Sequence, residues 1–201
     1  EVGLWEYRAR EHPQLDMPAS PPMYLSTVPA LLERLLDDDC AGAFGARVST
    51  GTLLPYVYLL APSWVEKNET SLFEGGVTRA NQNPLWLAYL TGSHVFEKPF
   101  GRFRRWYEKT AASIGEAETL LGDHDDRDFS MGYGLAKHVL IATLSGFSNL
   151  GDSDRLVEQT FQNVAVAERA RTYWLVFRGW TDNPQKVPSA AVSRLVAFWE
   201  W

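Results

Sequence analysis

Cysteine is nearly absent. Cys40 is the only one in 201 residues, so no internal disulfide can form. A chain of this length buries a sizeable core without such bridges. The single cysteine, with no signal peptide in this chain, points to an intracellular location. The chain opens at Glu1 rather than Met, as a trimmed or processed product would. Long apolar runs are missing too. The longest, Leu53 to Ala61 (LLPYVYLLA), is about half the length a spanning helix needs, and Pro55 interrupts it, so no membrane span is expected. Positive charge is not in excess: 19 Lys and Arg against 25 Asp and Glu leave a net −6. That excludes the globally basic character of a nucleic-acid coat. There is no internal repeat and no low-complexity tract.

Complete catalytic motifs are also lacking. Gly146-Phe147-Ser148-Asn149-Leu150-Gly151 nearly matches a nucleophile elbow, but its second glycine is one residue late and a helix, not a strand, is expected before it. Gly132-Tyr133-Gly134 has neither the preceding strand nor the third glycine of a dinucleotide loop. Asp152-Ser153-Asp154 lacks the rest of a calcium loop and suits a helix cap better. His138, with Leu135, Val139 and Ala142 on an apolar helix, reads as a satisfied core or boundary histidine. No catalytic residue is assigned and no cofactor is expected.

What is present is aromatic and helical. Eight tryptophans exceed the usual share, and core filling accounts for most such cases. An aromatic contact surface is the functional alternative. Glu11 to Met23 carries four prolines, so residues 1–23 read as a proline-rich arm or loop ahead of a single helical domain, 24–201. The expected fold is mainly α, a compact domain of about six helices with at most two or three short strands. Caps place helix starts at Thr27, Asn83, Ser130, Ser153 and Ser189, with Asp152 an equal candidate for the fourth. The first helix, carrying Leu31, Leu32, Leu35 and Leu36, should stop by Asp37-Asp38-Asp39, and Asp39 could equally cap a following turn over Cys40–Arg47. Leu53 to Ala61 fits a buried strand or a short buried helix, and Ser63 to Gln82 a loop with a short strand. Asn83-Pro84 opens a helix that Gly92 closes. Pro99 opens a longer one ended by Gly122. Met131 to Ser145 is followed by Gly146, and a further helix runs from Asp154 to about Ala170. Tyr173 to Phe177 either continues that helix in the core or forms a buried strand. In the last helix Val192, Leu195, Val196 and Trp199 form one face, expected to pack inward, while Phe198 and Trp201 are candidates to meet a partner.

Two segments concentrate charge. Lys98 to Lys109 holds five bases against Glu108 alone. On a helical wheel Phe100, Phe103, Tyr107, Ala111, Ile114 and Leu121 fall within about 80° of one another, with Trp106 at the border. Lys98, Arg102, Arg105 and Lys109 lie about 140–200° away from Phe100. The aromatics are therefore expected inside and the bases outside, as candidates for contact with phosphate, RNA or an acidic partner, or as a solvated face balanced by neighbouring acids. Asp123-His124-Asp125-Asp126-Arg127-Asp128 is the densest acidic cluster, and His124, Asp123, Asp125 and Asp126 are its weak metal-ligand candidates. The His124-Asp125 pair, with His94 thirty positions earlier, resembles the metal-binding histidine–aspartate phosphohydrolases. It departs from them in lying in a charged stretch after Gly122 instead of an apolar helix, and Asp152, Asp154 and Asp182 are merely available as a distal ligand. No roles are carried over.

The leading expectation is a noncatalytic helical protein that acts by association, as a homo-oligomer, adaptor or coat-like component. The alternatives are a metal-dependent hydrolase built on Asp123–Asp128 and an RNA-associated protein using the Lys98–Lys109 stripe.

Overall fold

The computed structural model describes residues 33, 43–74, 83–121, 130–182, 184 and 187–201, with backbone alone for 115–121. The expected arm 1–23, the helix start at Thr27, Cys40 and the Asp123–Asp128 cluster lie outside the described residues. Among those described there are nine helices and no strand. They are α1 (Ala43–Leu60), α2 (Pro62–Glu74), α3 (Pro84–Gly92), α4 (Glu97–Arg102), α5 (Arg104–Leu121), α6 (Met131–Ser145), α7 (Leu156–Asn163), α8 (Val166–Asp182) and α9 (Ser189–Glu200). The mainly α expectation holds, with more and shorter helices than six.

Helix α6 lies at the centre, against α3, α5, α7, α8 and α9. Eleven of its residues are buried, including Gly132, Leu135, His138, Leu140 and Leu144, so it is apolar nearly all round, as a central helix must be. Ser130 caps it through the Tyr133 N–H (3.0 Å), and Gly146, left-handed at φ 85°, ends it. Asn83 caps α3 by accepting from Leu85 N–H (2.8 Å) and Trp86 N–H (3.2 Å), with Pro84 in the first turn. Two glycines let α3 sit close to its neighbours. A Cβ on Gly51 of α1 would stand 2.1 Å from the Leu85 carbonyl oxygen, and one on Gly134 of α6 would stand 2.9 Å from Leu90 Cβ. Lys137 of α6 donates to the Thr91 carbonyl (2.8 Å), placing a cation at the negative end of α3.

Several boundaries differ from the sequence reading. Leu53 to Leu60 belongs to α1, with Pro55 accommodated inside the helix. The segment expected as loop from Ser63 is the helix α2 as far as Glu74. Its inward face is Trp64, Val65, Glu69, Leu72 and Phe73, and the buried Glu69 hides the apolar period. The helix expected from Pro99 is two, because Phe103 leaves helical geometry (φ −91°, ψ 12°) between α4 and α5. The helix expected from Asp154 is also two. Val164 is extended (φ −73°, ψ 139°) and buried, and Asn163 donates to the Ala111 carbonyl (2.8 Å), tying the end of α7 to α5. Ser153 does not cap α7. Arg155, left-handed at φ 54°, precedes it, and Asp154 Oδ1 accepts from Leu156 N–H (3.1 Å). Ser189 is the first helical residue of α9, behind Pro188, and makes no side-chain cap.

One hydrophobic cluster runs from Leu54 of α1 to Phe198 of α9. Its densest part is aromatic. Phe73 packs against Trp86, Phe103 and Trp106 at 5.1–5.2 Å between ring centroids, and Tyr107 packs against Phe100 at 4.7 Å. Edge-on and tilted pairs of this kind add about 0.5–1.5 kcal/mol each beyond area burial. The inward face read for Lys98–Lys109 is confirmed at Phe100, Phe103, Tyr107, Ala111 and Ile114, all buried.

Candidate interaction surface

The basic stripe faces α2. Glu69, buried on that helix, accepts from Arg102, from Arg105 Nε (2.9 Å) and from Trp106 Nε1–H (2.7 Å). Glu66 stands 4.0 Å from Arg102 Nε, and Glu74 is 3.4 Å from Lys109 Nζ. Three bases therefore meet three carboxylates. Arg105 and Lys109 also lie over the Trp106 ring, at 5.0 and 5.1 Å from its centroid. Base stacking needs an open aromatic face beside the charge, and these two cations stand over the ring at the border of the stripe. Lys98 is exposed on α4. Arg104 turns to the other side, where it binds Asp154 and Asp152 and reaches the Phe147 carbonyl (3.4 Å). It fastens the α6–α7 connection to α5 and, by hydrogen bonding, holds the Asp154 carboxyl below its ordinary range.

The described acids form no metal centre. No group of three His, Cys, Asp or Glu suited to an ion occurs among the described residues. His94 is exposed beside Phe96, Asp152 and Asp154 are engaged by Arg104, and Asp182 stands 3.9 Å from Arg178.

A polar chain crosses the core. Tyr107 donates to Tyr89 (2.9 Å between hydroxyls), and its oxygen lies 2.8 Å from His138 Nδ1. His138 Nε2 is buried without a hydrogen-bond partner. Burial holds the His138 imidazolium well below its usual pKa, with the Lys137 charge adding to the effect, and raises both phenols. All three side chains are wholly buried, which closes them to substrate. They link α3, α5 and α6, so His138 is a core residue as expected, but it is satisfied only at Nδ1.

Large apolar side chains stand exposed on α1, at Phe44, Leu53 and Leu59, and most densely on α8 and α9. Trp199 is 70% exposed, Trp174 58%, Trp201 54%, Val196 51%, Val192 45% and Phe177 42%. Tyr173 joins the two helices, its ring 6.0 Å from Phe198 and 6.3 Å from Trp199. Two expectations are corrected here. Tyr173 to Phe177 is helical, but Trp174, Leu175 and Phe177 point outward. On α9 the inward residues are Ala191 and Phe198, with Phe198 4.7 Å from Phe161, so the Val192–Val196–Trp199 stripe faces away from the domain. Phe198, a candidate partner contact, lies in the core of its own chain. Trp201 is partly open, 6.0 Å from Phe198. The seven described tryptophans divide accordingly: Trp64, Trp86 and Trp106 fill the core, Trp180 is half-buried, and Trp174, Trp199 and Trp201 are exposed, while Trp5 lies outside the described residues. The sequence signal for this surface was an apolar arc on α9 too wide for one groove.

No helix among the described residues is long and apolar enough to cross a membrane. No protein-family model, no curated protein and no solved structure matches the chain.

Proposed function

We propose that the protein works by association and not by catalysis, through the apolar face that α8 and α9 present. One observation carries the reading: Val192, Val196 and Trp199 form an uninterrupted exposed stripe on a helix whose opposite side is anchored by Ala191 and Phe198. Monomeric soluble proteins rarely expose contiguous apolar patches beyond a few hundred Å², and larger ones mark contact sites. Trp is also the residue most enriched at binding hot spots. The RNA reading has less support, because the bases of its stripe face Glu66, Glu69 and Glu74. The hydrolase reading rests on Asp123–Asp128, outside the described residues.

The test is a benzophenone side chain placed at position 196 in the chain as expressed in its own cells. Irradiation should give a covalent adduct from position 196 and none from position 67 on α2. No adduct from position 196 defeats the association reading.

A further inference from the structure

We infer that the buried carboxylate of Glu158 holds an alkali-metal cation beneath the loop joining α6 to α7, with the Ser148 hydroxyl as a second ligand. This site is independent of association through α8 and α9. Three observations lead there.

The first is a carboxylate satisfied on one side only. Glu158 stands in the first turn of α7 and is 7% exposed. Its Oε1 accepts from the Gly151 N–H (2.8 Å), and its Oε2 is buried with no hydrogen-bond partner. Both that N–H and the positive end of the helix dipole favour the ionised form. The chain offers no counter-charge, for no base among the described residues pairs with Glu158. Glu69, also buried, shows the contrast: two arginines and an indole N–H answer it. A buried carboxylate keeps its charge only where a cation or further donors meet it.

The second is a hydroxyl in the same condition. Ser148 is wholly buried, and its Oγ has no partner. It lies one residue before the turn Asn149–Asp152, which the Asp152 N–H closes on the Asn149 carbonyl (3.3 Å). Gly151 of that turn carries the N–H that binds Glu158, so Ser148 and the carboxylate flank the same turn. The two oxygens do not bond to each other, although a hydroxyl donates readily to a carboxylate. An ion between them satisfies both, because hard cations take oxygen ligands of these kinds.

The third is the loop itself. The described residues at positive φ are Gly146 (85°), Gly151 (83°) and Arg155 (54°), and all lie in it. Arg155 has a side chain and holds that conformation against its steric preference. Arg104 fastens the loop to α5 through Asp152, Asp154 and the Phe147 carbonyl. A cradle fixed in this way loses little freedom when an ion enters. The same contacts decide the charge of the ion. Asp152 and Asp154 are engaged by Arg104, which leaves Glu158 as the carboxylate for the ion. One negative charge matches a monovalent cation, whereas calcium sites gather several carboxylates.

Thermal unfolding of the full chain in the chlorides of sodium, potassium and tetramethylammonium tests the inference, at about 0.15 M and about pH 7.5. Ionic strength is equal in the three, and tetramethylammonium presents only methyl groups to an oxygen ligand. Sodium or potassium should raise the midpoint by at least about 3 °C over tetramethylammonium, the shift for an ion about tenfold above its dissociation constant. Glu158→Gln keeps the shape and removes the charge, and it should abolish the difference. Ser148→Ala should reduce the difference by at least about half. Equal midpoints for the parent in the three chlorides overturn the cation and leave a proton or a water as the group that meets Oε2. A difference that persists in Glu158→Gln overturns Glu158 as the ligand. One undiminished in Ser148→Ala overturns the second ligand. Should Glu158→Gln fail to fold, relaxation of the sodium resonance by the parent decides: broadening that potassium reverses supports the site, and its absence overturns it.

Discussion

Gly51 is the residue on which the α1–α3 contact turns. A methyl group there would meet the Leu85 backbone at 2.1 Å, and backbone cannot swing aside as a side chain can. Gly51→Ala should therefore push the helices apart and cost about 3 kcal/mol or more, the upper end for overpacking. Gly179 on α8 has nothing within 4 Å of its added Cβ, and Gly179→Ala should stabilise by about 0.5–1 kcal/mol through helix propensity. Urea midpoints of the two variants moving in the same direction would refute the contrast. His138 makes a prediction in pH. Its folded pKa is lowered, so the folded chain stays neutral at a pH where the unfolded chain takes up a proton. The contribution to stability is complete above about pH 6.5 and falls away below it, at up to ~1.4 kcal/mol per pH unit until the folded pKa is reached. The groups facing His138 are Tyr89 from α3, Tyr107 from α5, and Lys137 and His94, whose charges oppose its protonation. An imidazole resonance for His138 that titrates near 6.5 would contradict this.

At the level of elements, α2 and α5 are held by one buried carboxylate. Removing Arg102 and Arg105 together leaves Glu69 with Trp106 as its remaining partner in this set, so the double change to Gln should cost about 2–3 kcal/mol. Lys109→Gln should cost less than about 0.5 kcal/mol, since its pair with Glu74 is exposed on both sides. Chemical denaturation showing equal losses for the two variants would defeat this account of the α2–α5 junction. The stripe was legible as an amphipathic helix because the 3.6 period survives the single-residue break at Phe103. Helix α2 was not legible, for a related reason. Its buried Glu69 reads as a surface residue until the bases that neutralise it, 33 and 36 positions later, are brought alongside.

For the whole molecule, the stripe on α4 and α5 is paired with acids of α2, while large apolar side chains stand exposed on α8 and α9 and also on α1, at Phe44, Leu53 and Leu59. The net −6 and the paired stripe predict that single-stranded RNA at about 0.1 M salt gives no mobility shift, and that Lys109→Gln leaves this unchanged. A salt-dependent complex weakened by that substitution would restore the RNA reading. The α8–α9 face instead predicts association that tightens with sulfate, which strengthens apolar burial. The split among the tryptophans belongs to this scale: of the eight in the sequence seven are described, and only packing separates those filling the α2–α3–α5 core from those left outside.

Local chemistry was enough to locate several elements. Asn83-Pro84 and Ser130 with Gly146 delimit α3 and α6 because caps, a fixed proline φ and a left-handed glycine act within one turn of the chain. The inward aromatics of α4 and α5 follow from period alone. Tertiary structure decided which side of α9 is inside. Both arcs of that helix are apolar, and hydrophobicity carries no direction, so the contacts of Phe198 with Phe161 and Tyr173 selected one arc and turned Val192, Val196 and Trp199 outward. It likewise decided the breaks at Phe103 and Val164, where burying a side chain outweighs one more turn of helix.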